Sequence, residues 1–193
     1  DFLSGVIDGT YDVKTGVRKK LDAGKLESAA VWAKTLLGDW HPVRNGDLTP
    51  ADVTAANKIK VWWRRECVPG ETPHEWEATV GSRSAGIGCA VCRGLQVQAG
   101  VNDLATVNPA LAAEWVKPVD TKHADRTPQN TTAGSGEFKV WWRRECVPGE
   151  TPHEWATTVN KRSAGRGCAV CDGRQVQAGV NDLATVNPVL AAE

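Results

Sequence analysis

The sequence has no methionine, one tyrosine and two phenylalanines, against nine tryptophans. Without methionine, Asp1 does not read as a translation start, and the chain is expected to be part of a longer polypeptide. Net charge is also missing, since 23 Lys and Arg oppose 23 Asp and Glu. A neutral chain is no general polyanion binder, so nucleic-acid contact must rest on local patches. No apolar run reaches the roughly 20 residues of a membrane span, and no signal peptide is recognisable. There is no His-Glu-x-x-His, no Gly-rich phosphate loop, and no Ser or Cys beside a plausible base. These absences argue against a membrane protein, a small-molecule enzyme and any catalytic residue. No cysteine is left over either, because all six fall into two equally spaced sets.

Those sets belong to an internal repeat. Residues 61–76 read VWWRRECVPGETPHEW, and residues 140–155 repeat them without a change. A Cys-x-x-Cys follows each copy, so the pattern is Cys-x6-His, 14 residues, then Cys-x2-Cys. The first set is Cys67, His74, Cys89 and Cys92; the second is Cys146, His153, Cys168 and Cys171. Three thiolates and an imidazole are the number and type of ligand a tetrahedral structural zinc takes. Disulfides are the alternative, but three cysteines per copy would force a bridge between copies. A redox Cys-x-x-Cys lacks its βαβ context. The expectation is therefore two Zn2+ per chain, each closing a module too small to be stable without it. Zinc thiolates point to a reducing compartment, the cytoplasm.

Around the ligands, Val61–Glu66 is rich in β-formers and Pro69-Gly70 marks a turn. His74 to Val80 alternates, with His74, Trp76, Ala78 and Val80 on one face. This predicts a hairpin that brings Cys67 and His74 to one end. The stretch GSRSAGIG (81–88) reads as a loop. Gly94 and Gly173 free the backbone to turn after the second Cys of each pair. The string Gln96–Pro109 recurs as Gln175–Pro188. In it, Asn102-Asp103 and Asn108-Pro109 are two helix starts, the second helix carrying Leu111 and Trp115 back onto the preceding hairpin.

Residues 17–38 show helical periodicity, with Trp32 a core residue, and Leu36-Leu-Gly-Asp-Trp40 echoes Leu111-Ala-Ala-Glu-Trp115. The arms 41–60 and 116–139 read as surface crossings or linkers. His41 and His123 within them, and Glu75, Glu77 and Glu154 on the strands, are expected to be solvated.

The string VWW…C…HEW…G-x-G-C-x-x-C-x-G…VNDLAT…P-x-L-A-A-E-W resembles the tandem treble-clef/zinc-ribbon repeats of bacterial and phage proteins, a domain of unknown function. The resemblance covers about 40–193. The first Cys-to-His spacing is longer than the family's short knuckle, and Ala90-Val91 and Ala169-Val170 replace the usual Pro and aromatic. It implies small zinc-stabilised α+β modules: two tandem treble-clef/zinc-ribbon repeats, each a β-hairpin, a zinc knuckle and short helices, preceded by a helical segment. The domains are expected at 1–39 (helical segment), 40–114 (zinc module 1) and 115–193 (zinc module 2). A phage particle joins the cytoplasm as a location. The family's association with nuclease-like domains implies nucleic-acid binding.

On the residues alone, the candidate nucleic-acid contacts are Trp62, Arg64, Arg65 and Arg83 in the first module. In the second they are Trp141, Arg143, Arg144, Lys161, Arg162, Arg166 and Arg174. A strand-borne Trp flanked by Arg makes a base-stacking platform with phosphate clamps. The competing reading leaves both Trp of each pair in the core and pairs the Arg with Glu. Protein–protein scaffolding in a larger assembly is the alternative function.

Overall fold

The structure, a computed structural model, describes residues 36–192. The helix expected over 17–38 lies almost wholly outside them, and Trp32 with it. Contacts divide the chain into two compact units, residues 1–96 and 97–193.

In the first unit, β1 (Lys60–Arg65) and β2 (His74–Thr79) form an antiparallel hairpin in which Trp63 faces Trp76 and Arg65 faces His74. Alternation sends Val61 and Trp63 of β1, and His74 and Trp76 of β2, to the buried face. Both Trp63 and Trp76 are fully buried. The Trp63 indole N–H donates to the Ala78 carbonyl at 3.0 Å, so a large apolar side chain is buried with its polar atom satisfied. The segment read as a loop after β2 begins instead as a short helix, α1 (Val80–Ser84). Thr79 caps it, its Oγ1 accepting from Ser82 N at 3.1 Å.

Among the described residues, the second unit carries the same hairpin core with two helices and a strand packed beside it. Helices α2 (Leu104–Val107) and α3 (Pro109–Ala113) precede β3 (Trp115–Pro118), which pairs with β4 (Lys139–Arg144), itself paired with β5 (His153–Thr158). Helix α4 (Val159–Ser163) follows, and α5 (Leu183–Val186) lies near the end. The core joins Leu104, Leu111, Phe138, Val140, Trp142, Trp155, Val159 and Val170. Asp103 rather than Asn102 caps α2, its carboxylate accepting from Thr106 N and Thr106 Oγ1. Burial alone would raise the Asp103 carboxyl, but bonds from Thr106 and the Gly100 amide outweigh it and hold it below its ordinary value.

Two expectations change here. Residues 97–114, read as the end of module 1, lie in the second unit, where Leu104 and Leu111 pack on the hairpin that follows them. Folding is thus out of phase with the repeated sequence. The arms, moreover, line the hairpins. Trp115 opens β3 and meets Trp142 edge-on at 5.6 Å. Trp40 likewise bridges to Trp63 and meets it edge-on at 5.5 Å. Asn45 extends that edge by donating to Trp62 O and accepting from Trp62 N.

Candidate metal centres

Cys67 follows β1 and His74 opens β2, so the hairpin register places both at one end. Cys89 and Cys92 come from the turn after α1. In each unit, the four donor atoms lie within 4.8 Å of one another: Cys67, His74, Cys89, Cys92, and Cys146, His153, Cys168, Cys171. A tetrahedral zinc with three sulfurs and one nitrogen has edges of roughly 3.5–3.8 Å. His74 Nδ1 lies 3.5 Å from Cys89 Sγ and 3.1 Å from Cys92 Sγ. His153 Nδ1 repeats this at 3.5 Å from Cys168 Sγ and 3.2 Å from Cys171 Sγ. Each set therefore fits one zinc, two per chain, with the imidazole presenting Nδ1.

Around the ligands, the Cys92 amide donates to Cys89 Sγ at 3.4 Å, and the Cys171 amide to Cys168 Sγ at 3.5 Å. The turn then closes through Gly94 and Gly173, each at φ 66°, a left-handed conformation that favours glycine. As thiols, Cys67, Cys89, Cys146 and Cys171 resist ionisation. Burial first, and then neighbouring cysteines, push Cys67 and Cys146 up to about 12. A bound dication reverses that preference and takes the thiols as thiolates.

Three thiolates on Zn2+ leave a net charge of about −1. A buried arginine lies near each set. Sequence placed Arg83 and Arg162 on an accessible loop as nucleic-acid contacts; the structure buries both, at 5% and 8% exposed. The Arg83 guanidinium lies 5.3 Å from the ring centres of Trp63 and Trp76, donates to Ile87 O at 2.6 Å, and pairs with Asp39. Arg162 lies 5.7 Å from Trp142 and 5.2 Å from Trp155, donates to Arg166 O, and pairs with Glu114. Asp39 and Glu114 were not singled out. Their signal was the echo Leu-Leu-Gly-Asp-Trp against Leu-Ala-Ala-Glu-Trp, where an acid precedes each edge tryptophan. Burial raises the Asp39 carboxyl above its ordinary value, although Arg83 and Arg65 oppose the shift.

The two arm histidines, expected to be solvated, are buried as well. His41 Nδ1 accepts from Val43 N and Arg44 N, and its Nε2 lies 3.3 Å from Glu75. Glu75, read as an ordinary surface acid, gathers Arg44 at 3.3 Å and Arg64 at 3.8 Å too. His123 stacks on Phe138 at 4.7 Å, with Asp120 2.8 Å from its Nδ1.

The remaining candidate contacts separate by exposure. Trp63 and Trp142 are core, whereas Trp62 and Trp141 are half-buried. Arg44 covers Trp62, 4.3 Å above its ring. Arg64, Arg65, Arg143 and Arg144 are exposed but lie 3.7–3.9 Å from carboxylates, namely Glu75, Asp39, Glu154 and Glu114. Lys161, Arg166 and Arg174 are exposed and line one open groove with Asp172, which pairs with Arg174. Among the described residues no helix is long and apolar enough to cross a membrane.

No curated protein matches the sequence. A family model does match it twice, over residues 36–95 and 111–174. Each match begins at the helix end and acid-Trp pair that feed the buried arginine and closes after the Cys-x-x-Cys turn. With a closed Cys3His site and a tryptophan hairpin in each match, the chain belongs to the family DUF4379, described as "Probable Treble clef zinc finger domain".

Proposed function

We propose that the protein is a non-catalytic pair of structural zinc modules that binds single-stranded nucleic acid through its second unit. Four protein ligands leave zinc no position for a reacting water, which supports a structural role for the metal. The observation that carries the binding surface is the groove of three cations, Lys161, Arg166 and Arg174, against one carboxylate, Asp172. At the matching positions the first unit has Ser82, Ile87, Leu95 and Arg93.

An aromatic face lies within reach of that groove. Gln175, next to Arg174, donates through Nε2 to Glu154 O at 3.2 Å, and its Oε1 accepts from Ala156 N at 3.4 Å. The groove thus borders β5, and Trp141 faces Ala156 from β4, one strand spacing away. Cations would track the phosphates while Trp141 stacks a base, a combination that tolerates any sequence. The first unit, with Trp62 already covered by Arg44, contributes less.

Oligonucleotide titration at low and moderate salt tests this. The wild-type chain binds at low salt with an affinity that falls as salt rises. Lys161→Glu with Arg166→Glu weakens binding and flattens the salt slope, with both zinc ions retained. Absence of binding by the wild-type chain at low salt overturns the proposal.

A further inference from the structure

The string Gln96–Pro109 and its repeat Gln175–Pro188 are identical, and the structure puts each string, with the leucine two residues beyond it, in a different environment. In the first copy Leu104 is 0% exposed and Leu111 6%, both in the core against Val140, Trp142 and Trp155. In the second, Leu183 is 51% exposed and Leu190 52%. Capping does not explain the difference. Asp182 holds α5 as Asp103 holds α2, accepting from Thr185 N and Oγ1, and Asn187 Oδ1 accepts from Leu190 N as Asn108 Oδ1 does from Leu111 N. Val107 and Val186 are exposed in both copies, at 51% and 63%. Both leucines that touch a hairpin in the first copy lose that cover in the second, and Asp182 is half-buried where Asp103 is buried.

What covers this sequence is on view within the same unit. Leu104 N donates to Thr131 O at 2.8 Å, Asp103 bridges to Thr132, and both leucines face the tryptophan pair of β4–β5. Glu114, just after this string, pairs with the buried Arg162. Leu190-Ala-Ala-Glu193 repeats Leu111-Ala-Ala-Glu114 in sequence.

We infer that the Leu183–Leu190 face is a docking site for the tryptophan hairpin of a further treble-clef unit of this sequence type. The occupant is defined by its chemistry. It is a β-hairpin with a paired-tryptophan face, a buried arginine short of its carboxylate, and an arm carrying a free carbonyl where Thr131 stands. This inference is independent of the nucleic-acid reading, because its residues lie outside the cationic groove.

The test extends the full chain by a second copy of residues 115–174 placed directly after Glu193. The extended protein should bind three zinc ions, and amide exchange over residues 183–190 should slow by at least about tenfold relative to the unextended chain. Leu183→Asp with Leu190→Asp should remove that protection while the first two zinc ions remain. Two zinc ions in the extended chain, or three with unchanged exchange over 183–190, overturns the inference. A concentration-dependent dimer of the unextended chain that Leu183→Asp abolishes also overturns it, assigning the face to a second copy.

Discussion

Leu104→Ala and Leu183→Ala are the same substitution in the same fourteen-letter string, and the structure separates them widely. Leu104 has no solvent exposure, so its truncation loses transfer free energy and leaves a cavity among Trp142, Trp155 and Leu111. Comparable buried leucines cost about 2.7–5 kcal/mol, increasing with the cavity that remains. Leu183 is half exposed, and its truncation should stay within about 0.5 kcal/mol. With a urea dependence near ~1.5 kcal/mol per molar, a loss of about 3 kcal/mol lowers the midpoint of the second unit by about 2 M. The Trp142 indole N–H, donated to Thr157 O at 3.0 Å, is an NMR reporter of that unit, and the Trp63 indole reports the first. Free zinc must be buffered equally across samples, because bound metal shifts the transition by mass action. Leu104→Ala should move the Trp142 signal alone and leave Trp63 in place. Equal midpoints for the two variants would refute the placement of residues 97–114 in the second unit.

Elemental analysis should find two zinc ions per chain, and Cys89→Ser should leave one, held by Cys146, His153, Cys168 and Cys171. Zinc uptake at neutral pH should release ~3 protons per ion, since three thiols become thiolates; calorimetry in buffers of different ionisation enthalpy measures it. Removing the metal with a chelator should unfold both units, because zinc binding supplies much of their folding free energy; circular dichroism follows the loss. Glu114→Gln should cost about 3 kcal/mol by stranding the Arg162 charge, whereas replacing Glu154, whose partner Arg143 is exposed, should change stability by less than ~0.5 kcal/mol.

The zinc ligands were legible because donor chemistry and spacing are local properties. Cys67 and His74 meet because a hairpin must join its own ends, and the Gly after each Cys-x-x-Cys marks the turn. The caps were legible for the same reason, although Asp103 displaced Asn102 by one residue. Arg83 and Arg162 were not, because a charged letter reads as surface until its partner is known. That partner lies 44 residues away for Arg83 and 48 for Arg162. His41 and His123 were missed likewise, their burial resting on contacts with Glu75 and Phe138. The phase of folding was hidden for a different reason: an identical string contains no information about which of two hairpins with the same tryptophan face it covers.

That phase has an evolutionary consequence. The two copies of the fourteen-residue string are 79 positions apart. An unequal crossover within it inserts or removes 79 residues without creating a new junction sequence. After insertion, the duplicated leucines would again be followed by a KVWWRR strand at the spacing found in the second unit. The string is thus a seam at which the chain could change length while every core contact across the join remained one already in use.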